Sequence, residues 1–149
     1  MSRSGLDVTI PGTPRPQGKL KTFAVGKHVV ARYPDHVLDQ RGAVVAALMA
    51  VWGPASPLTE PVRVRATFGF ARPKSHYGTG RNAGELKVSA PLLHAQMPDT
   101  DKLCRLVLDA LTLARVVMDD AQVCLLIGEK RWVPRDVGGW TRVSVDVTG

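Results

Sequence analysis

The stretch Met97-Pro98-Asp99-Thr100-Asp101-Lys102-Leu103-Cys104-Arg105-Leu106-Val107-Leu108-Asp109-Ala110-Leu111 decides how this chain is read. Leu103, Leu106, Val107, Ala110, Leu111 and Ala114 recur at helical spacing and make one apolar stripe. Lys102, Arg105 and Asp109 share the opposite face, and Asp99, Thr100 or Asp101 offers an N-cap oxygen. Carboxylates at a helix start often do no more than cap it, each contributing about 1 kcal/mol. Here the acids and bases are packed more densely than a cap requires. On extended backbone the carboxylates of Asp99 and Asp101, two residues apart, point to one side and converge.

Outward from this helix the chain alternates strand patterns with one more helix. On the C-terminal side, Asp119-Asp120 precedes a run at 122–127 that reads as a buried strand. Lys130, Arg131 and Trp132 follow, then a turn at 134–139, then Val143, Val145 and Val147 in alternation. On the N-terminal side, residues 71–96 are irregular and carry Arg72, Lys74, Arg81 and Lys87 against only Glu85. So long a segment is expected to be a flexible basic arm for a nucleic-acid backbone. At 62–70 apolar residues alternate with Arg63, Arg65, Thr67 and Gly69, a strand with one face on a core and one on solvent or ligand. Residues 37–52 read as a helix with Val44, Ala47, Leu48 and Val51 inward. Leu6, Val8 and Ile10 make a short strand, and 12–21 a basic loop with Lys19 and Lys21. The expected fold is one α+β domain over 1–149, a mixed β-sheet flanked by two main helices.

Twenty Lys and Arg against thirteen Asp and Glu give a net charge of +7, a field that attracts polyanions. Cys104 and Cys124 both sit in apolar runs without a CxxC partner, so buried free thiols and a reducing compartment are expected. No apolar run approaches the ~20 residues that span a bilayer, so no membrane partner and a cytoplasmic location are expected. His28, His36, His76 and His94 form no pair spaced for zinc.

If the strand after Asp119-Asp120 pairs beside the segment feeding Asp99, a third carboxylate reaches the same place. Such acids repel one another unless a cation lies between them. The hard cation suited to few carboxylates plus water is Mg²⁺, with Mn²⁺ as substitute. A basic chain with such a site suggests phosphodiester chemistry, with Arg105, one turn after Asp101, stabilising developing charge.

The blocks Pro98-Asp99-Thr100-Asp101-Lys102-Leu103, Leu108-Asp109-Ala110-Leu111, Asp119-Asp120-Ala121-Gln122-Val123 and Lys130 together resemble the RusA family of Holliday junction resolvases. These are Mg²⁺-dependent endonucleases, often encoded by phages and prophages, with the pattern PDxDNLxK, DAL and DDxQV. The resemblance is close over 97–130 and looser at the turn 12–18. It implies metal-binding acids at Asp99, Asp101 and Asp120, supported by Asp119. The family lysine falls on Arg105 and its asparagine on Lys102. Arg105 keeps the charge in a fixed fork and is a poor proton donor, whereas Lys102 supplies a mobile ammonium. Asp109 is expected to buttress the site or to pair with Arg105. The resemblance further implies a homodimer, suited to a near-two-fold four-way junction. It implies no small-molecule cofactor. Junction phosphates would meet Lys19, Lys21, Arg63, Arg65, Arg72, Lys74, Arg81, Lys87 and Lys130. Rival readings are a nuclease for forks or flaps, a branched-DNA-binding protein that has lost cutting, and a structural basic protein.

Overall fold

The computed structural model describes residues 5–16, 21–25, 28–32 and 35–148, with backbone alone at 21–25, 28–32 and 35–39. Along the chain it forms β1 (Gly5–Pro11), β2 (Lys21–Val25), β3 (His28–Arg32), α1 (Asp35–Trp52), β4 (Val62–Ala71), α2 (Thr100–Leu113), β5 (Val123–Val133) and β6 (Trp140–Val147). Four strands make one mixed sheet in the order β1-β6-β4-β5. β6 runs antiparallel to both β1 and β4, whereas β5 runs parallel to β4. β2 and β3 form a separate antiparallel pair, which begins at the last residue of the expected basic loop and runs through residues to which the sequence reading assigns no element. This is the expected α+β class, a mixed sheet with two helices.

The alternation along β4 explains the layering. Val62, Val64, Ala66 and Phe68 are buried in one core with Leu103, Leu106, Val107, Ala110 and Leu111 of α2. Val44, Leu48 and Trp52 of α1 join them at intervals of four, so Trp52 completes the helix stripe and Val51 is 36% exposed. α1 packs on α2 and β1, and α2 packs on β5, so both helices cover the same sheet face. The other face is open over Arg63 and Arg65. Farther along β4 it closes, because the Trp140 ring lies across Gly69, where a Cβ would stand 2.6 Å from ring carbon Cε2. Thr67 is buried accordingly.

Two sequence expectations change here. β5 is an edge strand and not a buried one, with Leu125, Leu126 and Ile127 exposed. An edge has a neighbour on one side only, and α2 shelters just one of its faces. Cys124, on that edge, is therefore exposed, while Cys104 is buried and both are free thiols.

The 71–96 segment has internal structure. Short 3-10 turns form at Lys74–His76 and Gly80–Asn82. Gly78 N donates to Glu85 O and Lys87 N to His76 O, each at 2.9 Å. Arg72 donates to Pro91 O at 2.8 Å. His94 is buried between Phe70 and Trp132, at ring centroid distances of 4.3 and 4.4 Å. His76 meets the same Trp132 edge-on at 4.8 Å. The Lys130 ammonium donates to Gln96 O at 2.5 Å. These contacts tie the segment to the ends of β4 and β5.

Burial, with the Lys130 charge adding to it, pushes the His94 ring below the ordinary histidine value of 6.5. The folded ring stays neutral where the unfolded chain begins to take up a proton. Stability from this group is therefore complete above about pH 6.5 and falls as pH drops below it. Thermal unfolding should show a larger loss of Tm from about pH 7.5 to about pH 5.5 in the wild type than in His94→Phe. Equal losses would mean that His94 is protonated in place.

Candidate active site

α2 starts at Thr100 because Asp99 has extended backbone, φ −72° and ψ 138°, and the helix stripe begins at Leu103. Asp101 therefore lies in the first helical turn and not on extended chain, which removes the geometric reason for Asp99 and Asp101 to converge. Asp99 occupies the N-cap position, yet its side chain makes no capping hydrogen bond. It stands 3.5 Å from the Lys102 ammonium, both groups half exposed. An exposed pair of this kind contributes about 0–1 kcal/mol.

The polar face of α2 borders an open hollow of about 710 Å³. Asp101, Arg105 and Asp109 line it from the helix, Asp120 from the following turn, and Leu126 and Gly128 from β5. Asp101 and Asp109 are eight residues apart, about 12 Å along the helix axis. The acids thus form a row and not a knot. The side chains of Asp101, Arg105 and Asp109 make no hydrogen bond or ion pair among the described residues, so Asp109 does not pair with Arg105. Burial raises the Cys104 thiol beneath them, and the charge of Asp101 adds to the effect.

Asp119 and Asp120 sit on a 3-10 turn, Asp120–Gln122, that leads into β5. Asp119 caps that turn, its Oδ1 accepting from Ala121 N at 2.8 Å. Gln122 fixes it from both ends of one amide. Its oxygen accepts from Met118 N at 2.7 Å and Asp119 N at 2.9 Å, and its nitrogen donates to Leu58 O at 2.8 Å and Glu60 O at 3.0 Å. The Asp120 carboxylate accepts from the Thr112 hydroxyl at 2.8 Å. A smaller hollow of about 290 Å³ adjoins, shared by Asp109, Asp119, Asp120 and Arg41 of α1.

Sequence spacing nominated Asp101, Arg105, Asp119 and Asp120 but gave Asp109 a lesser part and did not find Arg41 or Thr112. Asp109 was legible as the next polar-face residue after Arg105 by one turn. Arg41 and Thr112 enter only through tertiary packing. The donor chemistry suits a hard divalent cation, since the hollow offers carboxylate oxygens and no imidazole. Among the described residues, no three His, Cys, Asp or Glu stand close enough to cage one.

The basic residues divide among several places. Arg63 and Arg65 lie on the open sheet face, opposite the hollow, without an ion-pair partner among the described residues. Arg131 and Arg142 on that face are paired with Glu129 and Asp7. Hydrogen bonding to Arg142 holds the Asp7 carboxyl below its ordinary value. Arg72 and Lys130 bind backbone carbonyls of the 71–96 segment, while Lys74, Arg81 and Lys87 are exposed on it. Lys19 and the Lys21 side chain lie outside the described residues.

A family model described as Endodeoxyribonuclease RusA matches residues 11–148 of the chain. No curated protein matches it.

Gly128 is the point where α2 seats on β5. A Cβ there would stand 2.5 Å from Cys104 Sγ and 3.0 Å from Thr100 Cγ2. Gly128→Ala should destabilise the protein by about 1–3 kcal/mol, read from the urea midpoint, by forcing the first turn of α2 outward. An unchanged midpoint would contradict this seating.

Proposed function

The chain belongs to the RusA family of endodeoxyribonucleases, nucleases that resolve Holliday junctions. From that premise we propose that it cuts four-way DNA junctions by paired, symmetric phosphodiester hydrolysis in recombination and repair, with Mg²⁺ as cofactor and Mn²⁺ as substitute. The observation that carries this is that one hollow is lined together by Asp101, Asp109, Asp120 and Arg105 in a chain of net charge +7.

The chemistry follows from these groups. A row of carboxylates repels a phosphodiester, so cutting requires the row to be neutralised. Asp101 and Asp120 are the proposed metal-holding acids, with Asp99 at the helix cap, Asp119 in support and Asp109 adding a carboxylate between them. A divalent cation held by these acids would supply Lewis acidity toward the phosphodiester and would make water more acidic. Arg105 presents a planar fork to a phosphate oxygen and stays charged throughout, which suits it to charge stabilisation and not to proton donation. Lys102 supplies an ammonium near Asp99 that is available to a leaving oxygen. Leu108 and Leu126 give the hollow an apolar side next to this charge.

We further propose one domain acting as a homodimer in the cytoplasm, each copy cutting one of two symmetric strands. Arg63 and Arg65, with Lys74, Arg81 and Lys87 of the 71–96 arm, would carry junction phosphates. No helix among the described residues is long and apolar enough to cross a membrane.

A labelled synthetic four-way junction tests the cutting directly, with a linear duplex alongside. Wild type with Mg²⁺ should give paired symmetric nicks, EDTA should abolish them, and Asp101→Asn should lower the rate by about 100-fold or more. Tight junction binding without cutting under any divalent metal would replace this reading with a branched-DNA-binding protein. Preferential cutting of forks or flaps would move the substrate. The sheet face has its own test. Arg63→Ala with Arg65→Ala should reduce the slope of log K against log salt by about 2, close to one unit per lost phosphate contact. An unchanged slope would remove this face from the DNA surface.

A further inference from the structure

Resting on the reading of Asp120 as a metal-holding acid, we propose that Thr112 is a positioning residue that sets the Asp120 carboxylate in the hollow. Thr112 lies in the last turn of α2. Its Oγ1 is 2.8 Å from Asp120 Oδ1 and 3.3 Å from Leu108 O. A threonine hydroxyl has one proton to give. The helix-internal use of that proton is the carbonyl four residues back. The shorter contact, to a charged acceptor, takes it instead. One oxygen of Asp120 is thereby committed, and the other has no partner among the described residues; Asp120 itself lines the hollow.

Two separate devices hold this acid. The backbone of its turn is fixed by Gln122 through Met118, Asp119, Leu58 and Glu60. The side chain is fixed by Thr112 across from another element. Asp120 is exposed, so packing does not choose its rotamer. Without the hydroxyl the turn remains, but the carboxylate rotates among solvent-facing positions. Loss of a group that orients a ligand acid costs about 10–100-fold in metal affinity or activity.

The test compares wild type, Thr112→Val, Thr112→Ser, Asp120→Asn and the Thr112→Val/Asp120→Asn double variant. Three quantities are read: Mn²⁺ affinity without DNA, from the electron paramagnetic resonance signal of free Mn²⁺; junction cleavage; and Tm. Thr112→Val should weaken Mn²⁺ binding and cleavage by about 10–100-fold with Tm near wild type, while Thr112→Ser keeps both. In the Asp120→Asn background, Thr112→Val should add nothing, because its effect passes through that carboxylate. If valine disturbs the helix, Thr112→Ala makes the same comparison with a smaller side chain. Wild-type Mn²⁺ binding and cleavage in Thr112→Val would overturn the positioning role and leave the nuclease reading intact. So would an effect that persists undiminished in the double variant. A wild type that neither binds Mn²⁺ nor cuts junctions would overturn the nuclease reading, and the positioning role with it.

Discussion

The parallel pairing of β4 with β5 is the constraint from which the site follows. Antiparallel neighbours are joined by a tight turn, but parallel ones need a crossover that returns the chain to the starting end. Here that crossover is the whole of residues 72–122. It carries the docked arm, α2 and the acidic turn, so every group lining the larger hollow belongs to it or to β5. Asp101 stands at the start of the return path, and Asp120 stands at its end, where the chain enters β5. The row of acids is the crossover helix seen from its polar side.

Local pattern carried much of this into the sequence. The stripe from Leu103 to Ala114 announced α2, and the alternation at 62–70 announced β4 together with its exposed arginines. These are long segments in which period and burial agree. The hairpin β2–β3 was not legible, since its strands have five residues each and little alternation. The exposure of β5 was not legible either. An apolar run has the same appearance in a central strand and at an edge, and only the strand order distinguishes them. His76 and His94 are eighteen positions apart and were set aside for lack of metal spacing, yet both lie against Trp132. For the acids, residue types were readable and convergence was not. The extended-chain geometry that would bring Asp99 and Asp101 together is removed because the helix starts between them, at Thr100.

Charge is distributed by face. The helix side presents acids with Arg105, and the open sheet side presents Arg63 and Arg65 with the remaining arginines tied to Glu129 and Asp7. β5 alone separates the two. A duplex that touched both sides would have to pass that edge, which is where Leu125, Leu126 and Ile127 are uncovered. Trp140 shortens the open side by closing over Gly69, so the arginines are confined to the half of β4 nearest its start.

β6 holds an inner place in the sheet, between β1 and β4, although it follows them along the chain. As the chain is made, β1 has no sheet neighbour to bond until β6 follows it. β4 and β5 can pair earlier, with the crossover helix beside them. The helix-side hollow thus belongs to a unit that can gather while the chain is still growing. The open arginine face waits for β6, which pairs along β4 beside Arg63 and Arg65. Long-range closure of this kind is slow relative to local contacts. During synthesis the acids would come together before the surface that faces away from them is complete.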